Sequence, residues 1–334
     1  MNYFLKSTAI YGIAAMLLSA CNPDSSKTSA EIANKNNMKK VAITAIVEHP
    51  ALDSVRQGII DELANEGYQQ GKNLQIDFQS AQGNTATAGQ IAKKFAGDKP
   101  DVIVAIATPS AQSVIAATKT IPIVFSAVTD PVSAQLVSSW EPTRTNVTGV
   151  SDELPLQPQI DLMKKIKPEV KTIGYVYSPG EVNSTVVMNN LKTLLAPQGI
   201  TLAAVPAQRT TDVPLATKSL QGKADLIYTS LDNNVVSAYE SMYKVAKEAK
   251  IPLIASDTAS VKRGAVAALG INYHDLGVTT GKLVVRILKG EKAGDIAPQR
   301  ESLEKLDLVI SPTHAAEEGV TLSEELLKNA KIEE

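Results

Sequence analysis

One pattern constrains the fold of this chain more than any other: short apolar runs rich in β-branched residues alternate with amphipathic segments. Val41 to Val47 has the length of a strand, and Ser54 to Gly67 then places its apolar residues at helical spacing. The same order recurs in two further pairs of segments: Leu74 to Phe78 with Ala86 to Phe95, and Val102 to Ala107 with Ser110 to Thr118. Strands that alternate with helices predict parallel sheets with crossover helices, and runs that are apolar on both faces suit such sheets better than a sandwich.

This alternation occurs twice along the chain, at an offset of about 130 residues. Lys40 to Val47 resembles Lys171 to Tyr177, since each run precedes a loop with proline and then a helical pattern. Later runs correspond as well: those that begin at Asp101 and Ile121 resemble those at Asp225 and Ile251. Any two α/β halves look alike at this level of detail, but the shared order favours duplication. The sequence therefore predicts an α/β fold of two Rossmann-like lobes with parallel sheets, joined by a hinge with a crossing near Val147 to Pro155.

The N-terminus has the features of an export signal. Lys6 supplies a positive charge, and Ala9 to Leu18 form an apolar run that is too short to span a bilayer comfortably. Leu18-Ser19-Ala20-Cys21 follows and resembles the bacterial lipobox, in which the cysteine is acylated and becomes the first residue. The alternative is an ordinary signal peptide with an incidental cysteine. We expect residues 1–20 to be a signal peptide and Cys21 to be the site of lipidation.

Composition excludes several classes of protein. Cys21 is the only cysteine among 334 residues, so disulfides within the chain and cysteine metal sites are excluded. A net charge of -2 and the lack of a basic tract argue against nucleic acid as a partner. Residues 21–38 show no sustained apolar period, which predicts a flexible, lipid-anchored tether. We expect a monomer in the cell envelope, anchored on the extracytoplasmic side of a bacterial membrane, and periplasmic if the cell is Gram-negative.

The predicted strand ends indicate where a ligand binds. Ligands of open parallel sheets bind beyond the carboxyl ends of the strands, where loops meet helix N-termini. In this chain those loops are rich in carboxylate, hydroxyl and amide groups. The candidate ligand-binding residues are Glu48, His49, Thr108, Ser110, Thr129, Asp130, Glu181, Asn183, Ser184, Asp232, Asn233 and Asp257. Residues of these types also cap helices and form turns, so a structural role is the alternative for each of them.

A zwitterionic amino acid matches this set of groups. Its carboxylate can lie at the helix N-terminus predicted at Thr108-Pro109-Ser110, where backbone N–H groups and the helix dipole favour an anion. Its ammonium group needs a carboxylate partner, for which the candidates are Asp130, Glu181, Asp232 and Asp257.

Other ligands and functions fit the sequence less well. Aromatic residues, on which sugar rings stack, are almost absent from these loops, and their many carboxylates do not suit phosphate or sulfate. Small apolar residues such as Ala51, Leu52 and Ala107 suit an apolar or aromatic side chain. His274 and His314 lack metal-ligand spacing, and no esterase, zinc-protease or dinucleotide-binding motif occurs. We expect no catalytic residues, no cofactor and no metal, while other amino acids and small amphiphilic cations remain open as ligands.

Seven segments carry a family resemblance. They occur in the order VEHPALD (47–53), ATPSAQ (107–112), VTDP (128–131), NVTG (146–149), GEVNS (180–184), LGINYHDLG (269–277) and ILKG (287–290). Together they resemble the ABC-transporter substrate-binding family that includes tryptophan- and tyrosine-binding lipoproteins. No single segment is as specific as a zinc or Walker motif, but their collinear order along nearly all of the mature chain is.

The resemblance implies a fold similar to type I periplasmic binding proteins, with the ligand in a cleft between the lobes. It implies that a helix near Leu276 to Leu288 returns to the first lobe, and that a strand near Leu306 to Ile310 lies in the second. The lobes are then expected at 39–150 with about 272–295, and at 151–271 with about 296–334.

The same resemblance implies an amino acid ligand of the aromatic kind, namely tryptophan, phenylalanine or tyrosine. It also implies the permease and ATPase subunits of an ABC importer as partners. The alternatives are a sensory module that presents its ligand to a receptor, and an exported enzyme.

Overall fold

A computed structural model describes residues 38–302 and 306–334. The predicted signal peptide, Cys21 and the predicted tether as far as residue 37 lie outside the described residues. The described strands are β1 (Lys39–Ala45), β2 (Leu74–Ser80), β3 (Val102–Ile106), β4 (Ile123–Ser126), β5 (Val147–Ser151), β6 (Thr172–Tyr177), β7 (Thr201–Pro206), β8 (Leu226–Thr229), β9 (Leu253–Ala255), β10 (Ala267–Gly270), β11 (Gln299–Arg300), β12 (Asp307–Ile310) and β13 (Lys331–Ile332).

The described helices are α1 (Pro50–Asn65), α2 (Thr85–Asp98), α3 (Thr108–Ala117), α4 (Leu156–Ile166), α5 (Val182–Leu195), α6 (Val213–Lys218), α7 (Asn233–Ser237), α8 (Tyr239–Ala249), α9 (Tyr273–Leu288), α10 (Pro312–Glu317) and α11 (Glu324–Lys328). Short 3₁₀ segments cover Ala196–Gln198, Thr210–Asp212, Thr258–Arg263 and Ala293–Asp295.

The first lobe is built on a sheet with the strand order β11-β5-β4-β3-β1-β2. All neighbours in it are parallel, and Val41 of β1 lies opposite both Val102 of β3 and Ile76 of β2. Strand β3 is buried along its whole length, as expected for a parallel sheet that helices cover on both faces. Apolar side chains of α1, α2, α3 and α9 pack with these strands in one core. The predicted parallel sheet with crossover helices is confirmed for this lobe.

The second lobe has a sheet in the order β13-β12-β10-β9-β8-β6-β7. Strands β6 to β10 pair in parallel, as predicted, but β12 runs antiparallel to β10. The reason is topological. Between β10 and β12 the chain contributes α9 and β11 to the first lobe, so no crossover helix within the second lobe sets the direction of β12.

Both lobes share one spatial order of their first five strands. It is β2-β1-β3-β4-β5 in the first lobe and β7-β6-β8-β9-β10 in the second. This supports the duplication predicted from the sequence. In a doubly wound sheet of this order, ligands bind between the first and third strands, beyond their carboxyl ends. The fold therefore directs four loops, those after β1, β3, β6 and β8, towards a site.

The chain crosses between the lobes after β5, before α9 and after β11. Because β11 pairs with β5, the described part of the first lobe extends to Arg300, whereas the sequence placed the boundary near residue 295. A two-residue strand carries too little periodicity to be predicted from sequence. None of the helices in the described ranges has the length and apolar character that a membrane span needs.

Candidate ligand-binding site

A cavity lies between the two sheets, at the carboxyl ends of their parallel strands. The space between its walls that protein atoms leave free is about 380 Å³, including the part open to solvent. Asp152 and Tyr273 line it from two of the crossings between the lobes. The lobes supply the rest of the lining: His49, Ala51, Leu52, Ala107, Thr108, Ala127 and Thr129 from the first, and Asn183, Leu231, Asn233, Val236 and Asp257 from the second. We call this space the interlobe cavity.

Helix N-termini from both lobes point at the interlobe cavity, because each of the four directed loops ends in a helix. Helices α1 and α3 begin at Pro50 and Thr108, and helices α5 and α7 begin at Val182 and Asn233. A helix N-terminus presents backbone N–H groups and a partial positive charge. In the first lobe the start of α3 has no side-chain cap, whereas in the second lobe the carboxylate of Asp232 caps the start of α7.

His49 is a hydrogen-bond donor on the first-lobe wall. The backbone N–H of Ala51 donates to Nδ1 of His49 at 3.2 Å, so His49 caps helix α1. Burial lowers the pKa of His49. Nearby carboxylates oppose this shift, and the positive charge of Arg263 adds to it. The ring is therefore neutral at pH 7, and its proton must be on Nε2 because Nδ1 accepts. That buried Nε2–H has no acceptor among the described residues.

The start of helix α3 supplies further donors. Among the described residues no side chain caps this helix, and the Oγ1 of Thr108 and the Oγ of Ser110 are buried without hydrogen-bond partners. The backbone N–H groups of Thr108 and Ser110 also lack intrahelical acceptors, while Pro109 has no N–H. Ala107, at the junction with β3, has φ 71 and ψ 156, a conformation that costs a non-glycine residue about 1–3 kcal/mol. Strain of this kind typically accompanies functional sites.

The second lobe offers acceptors instead. The buried carboxylate of Asp257 faces the cavity and caps the 3₁₀ segment Thr258–Arg263, accepting from the N–H of Ser260 at 2.9 Å and from its hydroxyl at 2.6 Å. The Oδ1 of Asn183 is buried and has no donor among the described residues. The N-terminus of α7 is already capped by Asp232, which accepts from the N–H of Val235 at 3.0 Å.

Asp152 and Tyr273 were not among the residues predicted from sequence. Asp152 accepts hydrogen bonds from the Oγ1 of Thr129 at 3.2 Å and from the hydroxyl of Tyr273 at 3.3 Å. Burial raises the pKa of Asp152 to about 6, although both donors act against the shift. Asp152 directly follows β5, so the rule that selected the other strand ends could have found it. Nothing local marked Tyr273, which opens a helix of the first lobe after a strand of the second.

The twelve predicted residues divide by position. Six line the interlobe cavity: His49, Thr108, Thr129, Asn183, Asn233 and Asp257. Four are buried but do not line it: Ser110, Glu181, Ser184 and Asp232. Burial, together with the nearby charge of Asp232, raises the pKa of Glu181 to about 7, and burial raises that of Asp232.

Glu48 and Asp130 lie outside the cavity. The exposed Glu48 accepts a hydrogen bond from Nε2 of Gln82 at 2.7 Å. Asp130 caps the turn that follows it, accepting from the N–H of Val132 at 3.1 Å and the N–H of Ser133 at 2.9 Å. Asp130 is thus engaged in a local turn, which is the structural alternative for a residue of this type, whereas the partner of Glu48 lies 34 residues away in the sequence. In the described parts of the chain, no group of three or more His, Cys, Asp or Glu residues is placed to hold a metal ion.

Comparison with known proteins places this geometry in a family. The family model described as ABC transporter substrate binding protein matches residues 40–333. A tyrosine-binding protein from Clostridioides difficile (strain R20291) is 38% identical over 335 residues, which cover 99% of this chain and 96% of that protein.

Two solved structures extend the comparison. The ABC domain from Streptococcus pneumonia in complex with L-Trp is 35% identical, with a TM-score of 0.84 over 89% of this chain and 100% of that one. A ligand-free, open substrate-binding protein with adhesive properties from Clostridium difficile is 39% identical, with a TM-score of 0.66 over 89% of this chain and 99% of that one. At similar identity, this chain is thus more similar in structure to the L-Trp complex than to the ligand-free, open protein.

The duplicated lobes, the cavity between them and the match along the described chain agree with each other. The chain belongs to the family of ABC transporter substrate-binding proteins and has the fold of a type I periplasmic binding protein.

Proposed function

We propose that this protein captures a free aromatic amino acid in the interlobe cavity and delivers it to the permease of an ABC importer, without catalysing a reaction. One observation carries the choice of an amino acid: the first-lobe wall offers hydrogen-bond donors, and the opposite wall with Asp152 offers acceptors. An α-amino acid zwitterion has the complementary polarity.

The carboxylate of the ligand would lie against the first lobe. The uncapped start of α3 provides backbone N–H groups and a favourable dipole, and the Oγ1 of Thr108 adds a hydroxyl. The Nε2–H of His49 provides a neutral donor from the neighbouring loop. A carboxylate accepts several such bonds at once, so these donors suit a carboxylate better than a neutral group.

The ammonium group would lie between Asp152, Asp257 and the Oδ1 of Asn183. An ammonium donates three hydrogen bonds, and two carboxylates compensate its charge in a site removed from water. Asp257 was among the four partners predicted from sequence, and Asp152 was not.

The side chain would contact the apolar part of the lining, which comprises Ala51, Leu52, Ala127, Leu231 and Val236. An aromatic ring gains most from such a surface because it buries a large area with little loss of conformational freedom. The relative named as a tyrosine-binding protein and the solved complex with L-Trp support this choice. Micromolar affinity corresponds to about 8 kcal/mol, which these charged contacts and the buried ring together can supply.

We also propose that Cys21 anchors the protein by a lipid on the extracytoplasmic side of the membrane, where it acts as a monomer beside the permease and ATPase. The support is the sequence Leu18-Ser19-Ala20-Cys21 behind an apolar run. Metabolic labelling with an alkyne-bearing fatty acid tests the anchor: labelling is expected in the wild type and absent in Cys21→Ala. Equal labelling of both would overturn it.

A thermal-shift panel tests the ligand class. A ligand that binds only the native state raises Tm, by an amount that grows with its concentration relative to Kd. We expect L-tryptophan, L-tyrosine or L-phenylalanine to raise Tm, and sugars, nucleosides and polyamines to leave it unchanged. A lack of response to every amino acid would overturn the proposal.

A further inference from the structure

We propose that Glu181 is a positioning residue for ligand recognition: its carboxylate fixes the side-chain amide of Asn183 so that Oδ1 faces the interlobe cavity and accepts from the ammonium group of the ligand. This inference rests on the proposed binding of an amino acid. It assigns Glu181 an indirect role, since Glu181 is buried and does not line the cavity.

The orientation of the Asn183 amide follows from its donors. The Nδ2 of Asn183 donates to Oε2 of Glu181 at 3.0 Å and to the carbonyl oxygen of Leu231 at 2.9 Å. Both amide N–H groups are therefore used. A flipped amide would place Oδ1 against two oxygen acceptors, which is repulsive.

The other end of this amide points to a ligand. The Oδ1 of Asn183 is buried and has no donor among the described residues, and Asn183 lines the cavity with 4% of its surface exposed. A buried acceptor without a partner is costly and uncommon in native proteins. A donor from the ligand removes that cost, and the ammonium group is the part of an amino acid that has only donors.

Glu181 is itself held in place by Asn233. Its Oε2 accepts from the N–H of Asn233 at 3.1 Å and from Nδ2 of Asn233 at 2.6 Å, in addition to the bond from Asn183. Three donors thus converge on one oxygen and tie the start of α5 to the start of α7. Glutamine can keep this acceptor oxygen, but leucine cannot.

Discrimination between an amino acid and its desamino analogue measures this role. Titration calorimetry would compare L-tryptophan with indole-3-propionate, and L-tyrosine with 3-(4-hydroxyphenyl)propionate, on the wild type and variants. We expect Glu181→Leu to weaken binding of the amino acid by about tenfold or more and that of the desamino acid by less than about twofold. Glu181→Gln should stay within about threefold of the wild type for both ligands, because its amide oxygen can replace Oε2.

Asn183→Ala provides a second route that leaves Glu181 intact. It should reduce the preference for the amino acid as Glu181→Leu does. In the Asn183→Ala background, Glu181→Leu should weaken binding of the amino acid by a further factor of less than about two, because the two residues act through one contact. Equal weakening of both ligands by Glu181→Leu would overturn the inference, as would an unchanged preference in Asn183→Ala. If Glu181→Leu does not fold, Glu181→Ala, which also lacks the acceptor oxygen, takes its place with the same expected results. A wild type that binds no aromatic amino acid overturns the proposed function instead.

Discussion

The hydroxyl group of Tyr273 donates a hydrogen bond to the carboxylate of Asp152 at 3.3 Å, and the two residues lie in different crossings between the lobes. Burial raises the pKa of Asp152 to about 6 in spite of this bond and of the one from Thr129. A carboxylate that changes charge near physiological pH therefore faces the interlobe cavity from the hinge.

This position predicts that ligand affinity depends on pH. Because the pKa is raised, Asp152 is ionised above about pH 6 and becomes neutral below it, and only the ionised form attracts an ammonium group. We expect Kd for the aromatic amino acid to be nearly constant above about pH 7 and to rise by up to about tenfold per pH unit below about pH 6. Calorimetry at a series of pH values measures this.

Asp152→Asn is the matched control, since it removes the charge and keeps the shape. We expect about tenfold weaker binding or more at pH 7.5, and a shallower pH dependence than in the wild type. Other titrating groups near the cavity, such as His49 and Glu181, are common to both proteins, so the difference between their curves isolates Asp152. Parallel curves would contradict the assignment of Asp152 to the ammonium group.

His49 is expected to contribute to binding more than to stability. Asparagine is a favourable helix N-cap, so His49→Asn should keep the cap on α1 and change the free energy of unfolding by less than about 1 kcal/mol. It removes the Nε2–H that we assign to the ligand carboxylate, and we expect Kd to increase about tenfold. Chemical denaturation and calorimetry on the same preparation separate the two effects.

Asp130→Ala is the opposite control for His49→Asn. Its carboxylate caps a turn outside the cavity, so its loss should cost about 1 kcal/mol of stability and leave Kd unchanged. If Asp130→Ala weakens binding as much as His49→Asn, the lining of the cavity does not define the site.

The difference between Asp130 and Asp152 illustrates what the sequence could predict. Periodicity identifies the strands and helices, and the geometry of parallel sheets indicates which loops approach a site. Both aspartates lie just beyond a strand, so the sequence cannot distinguish them. Asp130 comes four residues after the end of β4 and turns back onto its own backbone, while Asp152 comes directly after β5 and is buried.

Tyr273 illustrates a second limit. Its place at the cavity depends on the return of α9 to the first lobe, which joins it to Asp152 across 121 residues. Local patterns predict a helix there but not its partners. The family resemblance anticipated the return of the helix, and only the three-dimensional structure identifies the contact.

The buried carboxyl group of Glu318 is expected to make the stability of the protein, rather than ligand binding, depend on pH. Its Oε2 accepts from the N–H of Leu253 at 2.6 Å, while its buried Oε1 has no partner in the described ranges. Burial raises the pKa of Glu318 to about 9. The folded protein therefore holds a proton that the unfolded chain releases above its ordinary pKa of 4.5. The proton on Glu318 therefore contributes fully to stability below about pH 4.5, and this contribution is lost as the pH rises towards 9.

Glu318→Gln has no such proton to lose. Between about pH 5 and pH 9, the stability of the wild type relative to Glu318→Gln should fall by about 1.4 kcal/mol per pH unit. Urea denaturation at four pH values gives the slope. Glu324→Gln, which removes the same charge from an exposed position, should show no comparable slope. A constant difference between the wild type and Glu318→Gln would mean that Glu318 is ionised in the folded state.

The contact between α1 and α9 predicts that a single methyl group affects both stability and binding. A Cβ atom on Gly277 would lie 2.2 Å from the carbonyl oxygen of Val55, so Gly277→Ala must push the helices apart. Overpacking of this kind typically costs about 1–3 kcal/mol. Gly277 lies one turn after Tyr273, so the shift should also disturb the bond to Asp152 and weaken ligand binding.

Gly89 offers a control on a different helix. It lies within α2, and a Cβ atom there would meet nothing within 4 Å. Gly89→Ala should stabilise the protein by about 0.4–1 kcal/mol, because alanine loses less conformational entropy on folding, and leave Kd unchanged. If Gly277→Ala were as stable as Gly89→Ala and bound its ligand normally, the close approach of α1 and α9 could not be what holds Tyr273 at the cavity.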